Sequence, residues 1–178
     1  MDLKSPPDSQ DEPQNGQSRT IVLVHHGHAL GREVEPMQPL SESGRIASQH
    51  MAVGAASRGI RPDVIWHSGK FRARQTAEIF WRACNARAGL SVVRGLQPTD
   101  RPSVIQGQLD KNDQSLLLVG HMPHLGRLLR VLCADLSDSA TTDFPAHGCV
   151  ALELKGGRWK EIWRLAALGD SPVSHRDD

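Results

Sequence analysis

The sequence predicts an α/β fold, a three-layer sandwich with a mostly parallel sheet, helices on both faces and a C-terminal β-hairpin. Three observations predict it. Short apolar runs at 20–25, 64–66, 90–93 and 115–119 alternate with longer segments whose apolar residues recur at helical spacing. The first and last of these runs are almost wholly aliphatic, the pattern of strands buried on both faces. Two further strand-like segments, about 147–154 and 158–165, flank Lys155-Gly156-Gly157, which suits a tight hairpin turn.

The elements follow in order. Residues 1–18 hold Pro6, Pro7, Pro13 and Gly16 among Ser, Gln and charges, and read as a disordered leader to a domain at 19–168. The first strand runs into His25-His26-Gly27-His28. A buried strand that ends in titratable residues delivers them to the carboxyl edge of a sheet, where open α/β folds bind ligands. Gly27 lacks a Cβ, which allows a sharp turn and a close approach of a ligand to backbone N–H groups. Residues 29–39 are a loop. Ser41 is the expected N-cap of a helix to about Arg58, with Ile46, Met51, Val53 and the alanines apolar, and Gly59 ends it.

The second strand ends in His67-Ser68-Gly69. A helix from about Lys70 to Ala88 carries Phe71, Thr76, Ile79, Phe80 and Ala83 on one stripe. After the third strand and a loop at 94–101, Pro102 opens a short helix to about Leu109. The fourth strand ends at Gly120-His121, and Pro123 opens a helix with Leu125, Leu128, Leu129 and Leu132 apolar. Residues 169–178 are polar and read as a flexible tail.

Composition narrows the function. A chain of 178 residues suits one domain with a full core. A net charge of +1 gives no bias toward nucleic acid or a membrane surface. Cys84, Cys133 and Cys149 form no CxxC pair, so neither a disulfide scaffold nor a cysteine metal site is expected, and a cytoplasmic setting fits. No apolar run has the length of a membrane span. Histidine is the unusual component: there are nine, and six fall in or beside the three polar strand ends.

Four motifs appear in order: His25-His26-Gly27, Pro39-Leu40-Ser41-Glu42-Ser43-Gly44, Ser68-Gly69-Lys70-Phe71-Arg72-Ala73-Arg74-Gln75-Thr76, and Gly120-His121-Met122-Pro123. With their strand and helix context they resemble the histidine phosphatase (phosphoglycerate mutase-like) superfamily, and within it the short SixA-type phosphohistidine phosphatase branch. The resemblance spans about residues 20–165. It implies metal-independent phosphoryl transfer without a cofactor, with His26 as the nucleophile and His121 beside it. The phosphate would be held by His25, Gly27, Arg72 and His121. A transferring phosphoryl group spreads negative charge over its oxygens, so donors and cations suit it, and the planar fork of Arg72 does so best. The implied substrate is a phosphorylated protein, as phosphohistidine, or a small phosphoester; the oligomeric state is open.

Two departures matter. The superfamily's first motif begins with arginine, where this chain has His25, a shorter side chain without a fork, whose charge is ordinarily lost above about pH 6.5. Arg45 and Arg74 are spare cations. His67-Ser68-Gly69 also departs from the superfamily's usual Ser-Ser-Pro. Larger members of the superfamily use a carboxylate as the acid for the leaving group, for which the SixA-like branch has no clear equivalent. Asp100, in the loop after the third strand, is the candidate, with a helix cap before Pro102 as its structural alternative. His28, His50, His147 and His175 are expected at the surface or in packing, His124 has either role open, and Arg127 and Arg130 are expected on a solvated helix face. Two other functions remain: a catalytically impaired phosphate-binding or interaction module, favoured by His25, and a metal-dependent hydrolase built on His25, His26, His28, His121 and His124.

Overall fold

The aliphatic run after Arg19 forms the central strand of a six-stranded sheet. The computed structural model describes residues 19–133 and 143–167; the expected leader (1–18) and tail (169–178) lie outside them. The elements are β1 (Thr20–His25), α1 (Glu42–Ser57), β2 (Val64–His67), α2 (Phe71–Cys84), β3 (Gly89–Val92), α3 (Pro102–Leu109), β4 (Leu116–Gly120), α4 (His124–Leu132), β5 (Cys149–Lys155) and β6 (Arg158–Leu165). The strand order is β3-β2-β4-β1-β5-β6. The first four strands are parallel to one another, while β5 is antiparallel to β1 and β6 to β5. The sheet is therefore mixed, with its parallel part where the sequence places it.

Strand periodicity divides the core into two layers. Val22 and Val24 of β1 and Leu117 and Val119 of β4 face one way, into a cluster with Met51, Ala52 and Ala55 of α1 and Ala77 and Phe80 of α2. Ile21, Leu23, Leu116 and Leu118 face the other way, against Ile105 and Leu109 of α3 and Leu125, Leu128 and Leu129 of α4. The expected apolar residues of α4 are all buried. No helix among the described residues is long and apolar enough to cross a membrane.

Several local expectations are corrected. In α1, Ile46 and Val53 are exposed, and the buried face is Gly44, Ser48, Met51, Ala52 and Ala55. At its start, where Gly44 and Ser48 meet the Gly27-His28 segment after β1, only small residues fit. In α2 the buried stripe is Ala73, Thr76, Ala77, Phe80 and Cys84, and the helix ends at Cys84 rather than near Ala88. Asn85 ends it in an extended conformation and donates its side-chain amide to the Pro62 carbonyl. β3, whose burial the sequence left open, is an edge strand exposed along its whole length. In the hairpin turn Gly156 and Gly157 have φ of 58° and 77°, the left-handed pair that a tight two-residue loop requires.

Candidate active site

Register brings the polar strand ends together. His25 is opposite Gly120 in the β1–β4 ladder, and His67 is opposite Val119 in the β2–β4 ladder. The segments after β1, β2 and β4 therefore leave from one edge, as expected. Because β5 is antiparallel, with Cys149 opposite Val24, the segment leading into it reaches the same edge. It carries His147, which the sequence expects at the surface or in packing. In the structure His147 belongs to the site: its ring is stacked on His25, with centroids 4.7 Å apart and planes 13° apart.

His26 is held in a defined tautomer. Its Nδ1 lies 2.8 Å from the Gly27 carbonyl oxygen, which can only accept, so the ring proton is on Nδ1. Nε2 keeps its lone pair and accepts from Nε of Arg72 at 3.1 Å. Burial holds the His26 pKa down to about 3; the Gly27 bond opposes this, and His121, Arg72 and His147 reinforce it. At neutral pH the ring is uncharged, and its one lone pair, on Nε2, is engaged by Arg72.

Arg72 enters from the first turn of α2. Its Nη1 donates to Gln38 Oε1 at 3.3 Å, and its backbone carbonyl accepts from the Thr76 hydroxyl. Thr76 Oγ1 in turn accepts the Gly27 N–H at 3.1 Å. That corrects the expected role of Gly27: its amide is already donated, and its missing side chain serves packing. A Cβ there would stand 2.4 Å from Ser48 Oγ and 2.8 Å from the Gly44 carbonyl oxygen, while one on Gly44 would stand 2.0 Å from the His28 carbonyl oxygen. The glycines of the first two motifs thus let the end of β1 and the start of α1 touch. Ser41 caps α1 as expected, accepting from Gly44 N–H at 3.0 Å.

His25 and His121 flank His26, with ring centroids 4.7 Å and 4.8 Å from its own. Burial first, then neighbouring positive groups, holds each of them near pKa 3. His25 is therefore uncharged at neutral pH, and already at pH values well below the expected 6.5. Its Nδ1 accepts the backbone N–H of His147 at 2.9 Å, so its own proton is on Nε2. Nε2 of His121 lies 2.7 Å from Ser68 Oγ. Its Nδ1 is buried with no hydrogen-bond partner.

The other candidates disperse. Arg45 pairs with Glu42 and Arg74 with Glu78, so neither spare cation replaces the missing arginine. The Asp100 carboxylate accepts the Gln97 N–H at 2.8 Å, and Gln97 Nε2 donates to the Ser68 carbonyl. Asp100 thereby shapes the loop beside Ser68; it is not the cap of α3, which is Arg101. Among the described residues no hydrogen bond links its carboxylate to His26 or Arg72. Nδ1 of His124 donates to the Asp100 carbonyl, and His28 Nδ1 lies 2.9 Å from Ser41 Oγ. Arg127 is tethered to the Pro98 carbonyl rather than simply solvated. Burial pushes the Cys84 and Cys133 thiols up to about 11 and Cys149 to about 12, so none is a thiolate.

The five-histidine metal set offered by the sequence is broken up, but a different one forms. Ring nitrogens of His25, His26 and His147 all lie within 4.8 Å of one another, near enough for three imidazoles to close on a transition metal. Two features oppose a cation there. The Arg72 guanidinium already faces Nε2 of His26, and His25 presents a proton rather than a lone pair at Nε2. An anion fits the same surroundings better.

No protein-family model and no curated protein matches the sequence. Solved structures do. The SixA protein of Agrobacterium tumefaciens, assigned as a phosphohistidine phosphatase, is 26% identical with a TM-score of 0.71, over 83% of this chain and 97% of that one. The protein histidine phosphatase SixA in complex with tungstate is 22% identical with a TM-score of 0.71, over 83% and 96%. A mycobacterial glucosyl-3-phosphoglycerate phosphatase is 15% identical with a TM-score of 0.64, over 85% and 100%. The last two likenesses speak to fold alone. Four motifs in order, the strand order and these likenesses agree: the chain has the fold of the histidine phosphatase superfamily, as the SixA structures have it.

Proposed function

We propose that the protein is a phosphatase that works through a phosphohistidine intermediate on His26, with protein phosphohistidine or a phosphomonoester as substrate. The observation that carries this reading is the tautomer of His26: a carbonyl holds the proton on Nδ1 and so puts the lone pair on Nε2, where it accepts from Arg72 until a phosphoryl oxygen takes over that donor. In this reading Nε2 attacks phosphorus in line and the bond to the leaving group breaks. Arg72, the Nε2–H of His25 and His121 take the phosphoryl oxygens, and the Gly27 carbonyl supports the positive ring that forms. Water then attacks phosphorus, the N–P bond breaks and phosphate departs.

The leaving group needs a proton, and Asp100 remains its proposed donor. An imidazole departs more readily than an alkoxide, so weak acid provision suits a phosphohistidine substrate. Three buried, reduced cysteines fit a cytoplasmic setting. A second reading, a phosphate-binding module with little turnover, is favoured by one observation: His25 is neutral where the superfamily has arginine, and Arg45 and Arg74 pair elsewhere.

The test assays the full chain on a phosphohistidine protein and on an aryl phosphate, with chelator and with added zinc or manganese. Chelator-resistant turnover that vanishes in His26→Ala supports the proposal. Turnover retained in that variant would falsify the covalent route. Vanadate binding without turnover favours the binding module, and turnover that needs added metal favours the metal reading.

A further inference from the structure

We propose that His147 is a positioning residue of the oxyanion site: it sets His25 as a fixed N–H donor and braces the backbone of the nucleophile. The inference extends the phosphatase reading and rests on it for its kinetic arm alone. Four observations support it. His147 has φ of 46°, in the left-handed region. Among the described residues the other non-glycine at positive φ is Gln38, at 48°, and it holds Arg72. Strained backbone of this kind persists where the surroundings over-determine it, and it gathers at functional sites. The His147 N–H donates to His25 Nδ1 at 2.9 Å. Its ring Nδ1, 2.7 Å from the His26 carbonyl oxygen, donates there. The ring also stacks on His25.

One residue thus addresses two successive residues of the motif, with its amide on His25 and its ring on His26. Histidine needs this where arginine would not. A guanidinium carries donors along its whole fork, whereas a neutral imidazole has one proton and two nitrogens that could hold it. With the proton on Nδ1, His25 would turn a lone pair toward a phosphate oxygen and repel it. The His147 amide demands the lone pair at Nδ1 and so leaves the proton on Nε2. The stacked ring fixes the plane in which that N–H can point. Nε2 of His147, with Nδ1 committed as a donor, keeps a lone pair and faces no such demand.

The experiment uses the full chain and inorganic phosphate. Nitrogen-15 spectra of the histidine rings report the tautomers directly. Wild-type protein should show His25 protonated on Nε2 and both His26 and His147 on Nδ1 near pH 7.5, and phosphate should shift the His25 Nε2–H. His147→Gly keeps the left-handed backbone and the amide but loses the ring; its kcat should fall about tenfold or more, as misplacement of reacting groups does. His147→Asn tolerates the same φ and carries a side-chain N–H₂ for the His26 carbonyl, so it should recover most of the loss. His25 protonated on Nδ1, or a glycine variant with wild-type phosphate affinity and kcat, would overturn the inference. If wild-type protein shows no turnover on any substrate, the phosphatase reading fails, and the tautomers and the phosphate-induced shift decide this inference alone.

Discussion

Acid should unfold the protein through its own site. His25, His26 and His121 sit near pKa 3 in the folded chain, chiefly through burial. In an unfolded chain each titrates near 6.5. Below that value the unfolded chain binds protons that the folded one refuses. Stability is therefore fully present above about pH 6.5 and is lost as the pH falls toward 3. Well below pH 6.5 each histidine accounts for about 1.4 kcal/mol per pH unit, and the three together remove roughly 5 kcal/mol between pH 6.5 and 5. That is comparable to the whole net stability of an ordinary domain, about 5–15 kcal/mol. His67 and His124 are shifted in the same direction by burial and add to the effect. Urea unfolding at fixed ionic strength from pH 8 to 5 measures the loss, and unbuffered titration counts the protons taken up on unfolding. Stability should be flat above pH 7 and then fall steeply, with about three protons or more taken up near pH 5. A change below about 1 kcal/mol across that range would show that these rings are not held neutral.

Other outcomes follow from the same geometry. His25→Arg places a charge where the wild type has none at neutral pH, and should tighten vanadate binding about tenfold, or ~1.4 kcal/mol, by calorimetry; unchanged affinity would place His25 away from the anion. Arg72→Ala removes the guanidinium beside Nε2, and with Arg45 and Arg74 engaged elsewhere kcat/KM should fall by about 10²–10³ or more. A loss under about tenfold would count against a clamp centred on Arg72. Gly27→Ala drives a methyl into Ser48 Oγ and the Gly44 carbonyl and should cost about 1–3 kcal/mol in thermal unfolding; wild-type stability would mean that α1 gives way freely.

How much was legible in the sequence differs from residue to residue. The approach of His26, Arg72 and His121 to one edge was readable, because parallel strands end on the same side and each motif sits at a strand end or one helical turn beyond. Two pairings that remove spare cations were also written in the chain, at the local spacings Glu42–Arg45 and Arg74–Glu78, which are the helical neighbour distances. The buried face of α1 was not legible, since Ile46 and Val53 outweigh its glycines and alanines in any hydropathy pattern, yet the structure buries Met51 with small residues.

What the sequence determined by itself is the set of elements and the edge where titratable side chains gather, since strand and helix periods are local properties of the chain. What tertiary structure alone decided is the chemical state of those side chains. His147 reached the site because β5 pairs antiparallel with β1, a choice that depends on which strand is the neighbour and not on the residues around His147. A histidine, His147, just before an apolar strand was the one signal for it, and that signal does not say which end of the sheet it meets. The tautomers of His25 and His26, and their neutrality, come from an amide, a carbonyl and burial that exist only once distant segments have met. A histidine in a sequence is two possible donors and two possible acceptors; the fold is what selects among them.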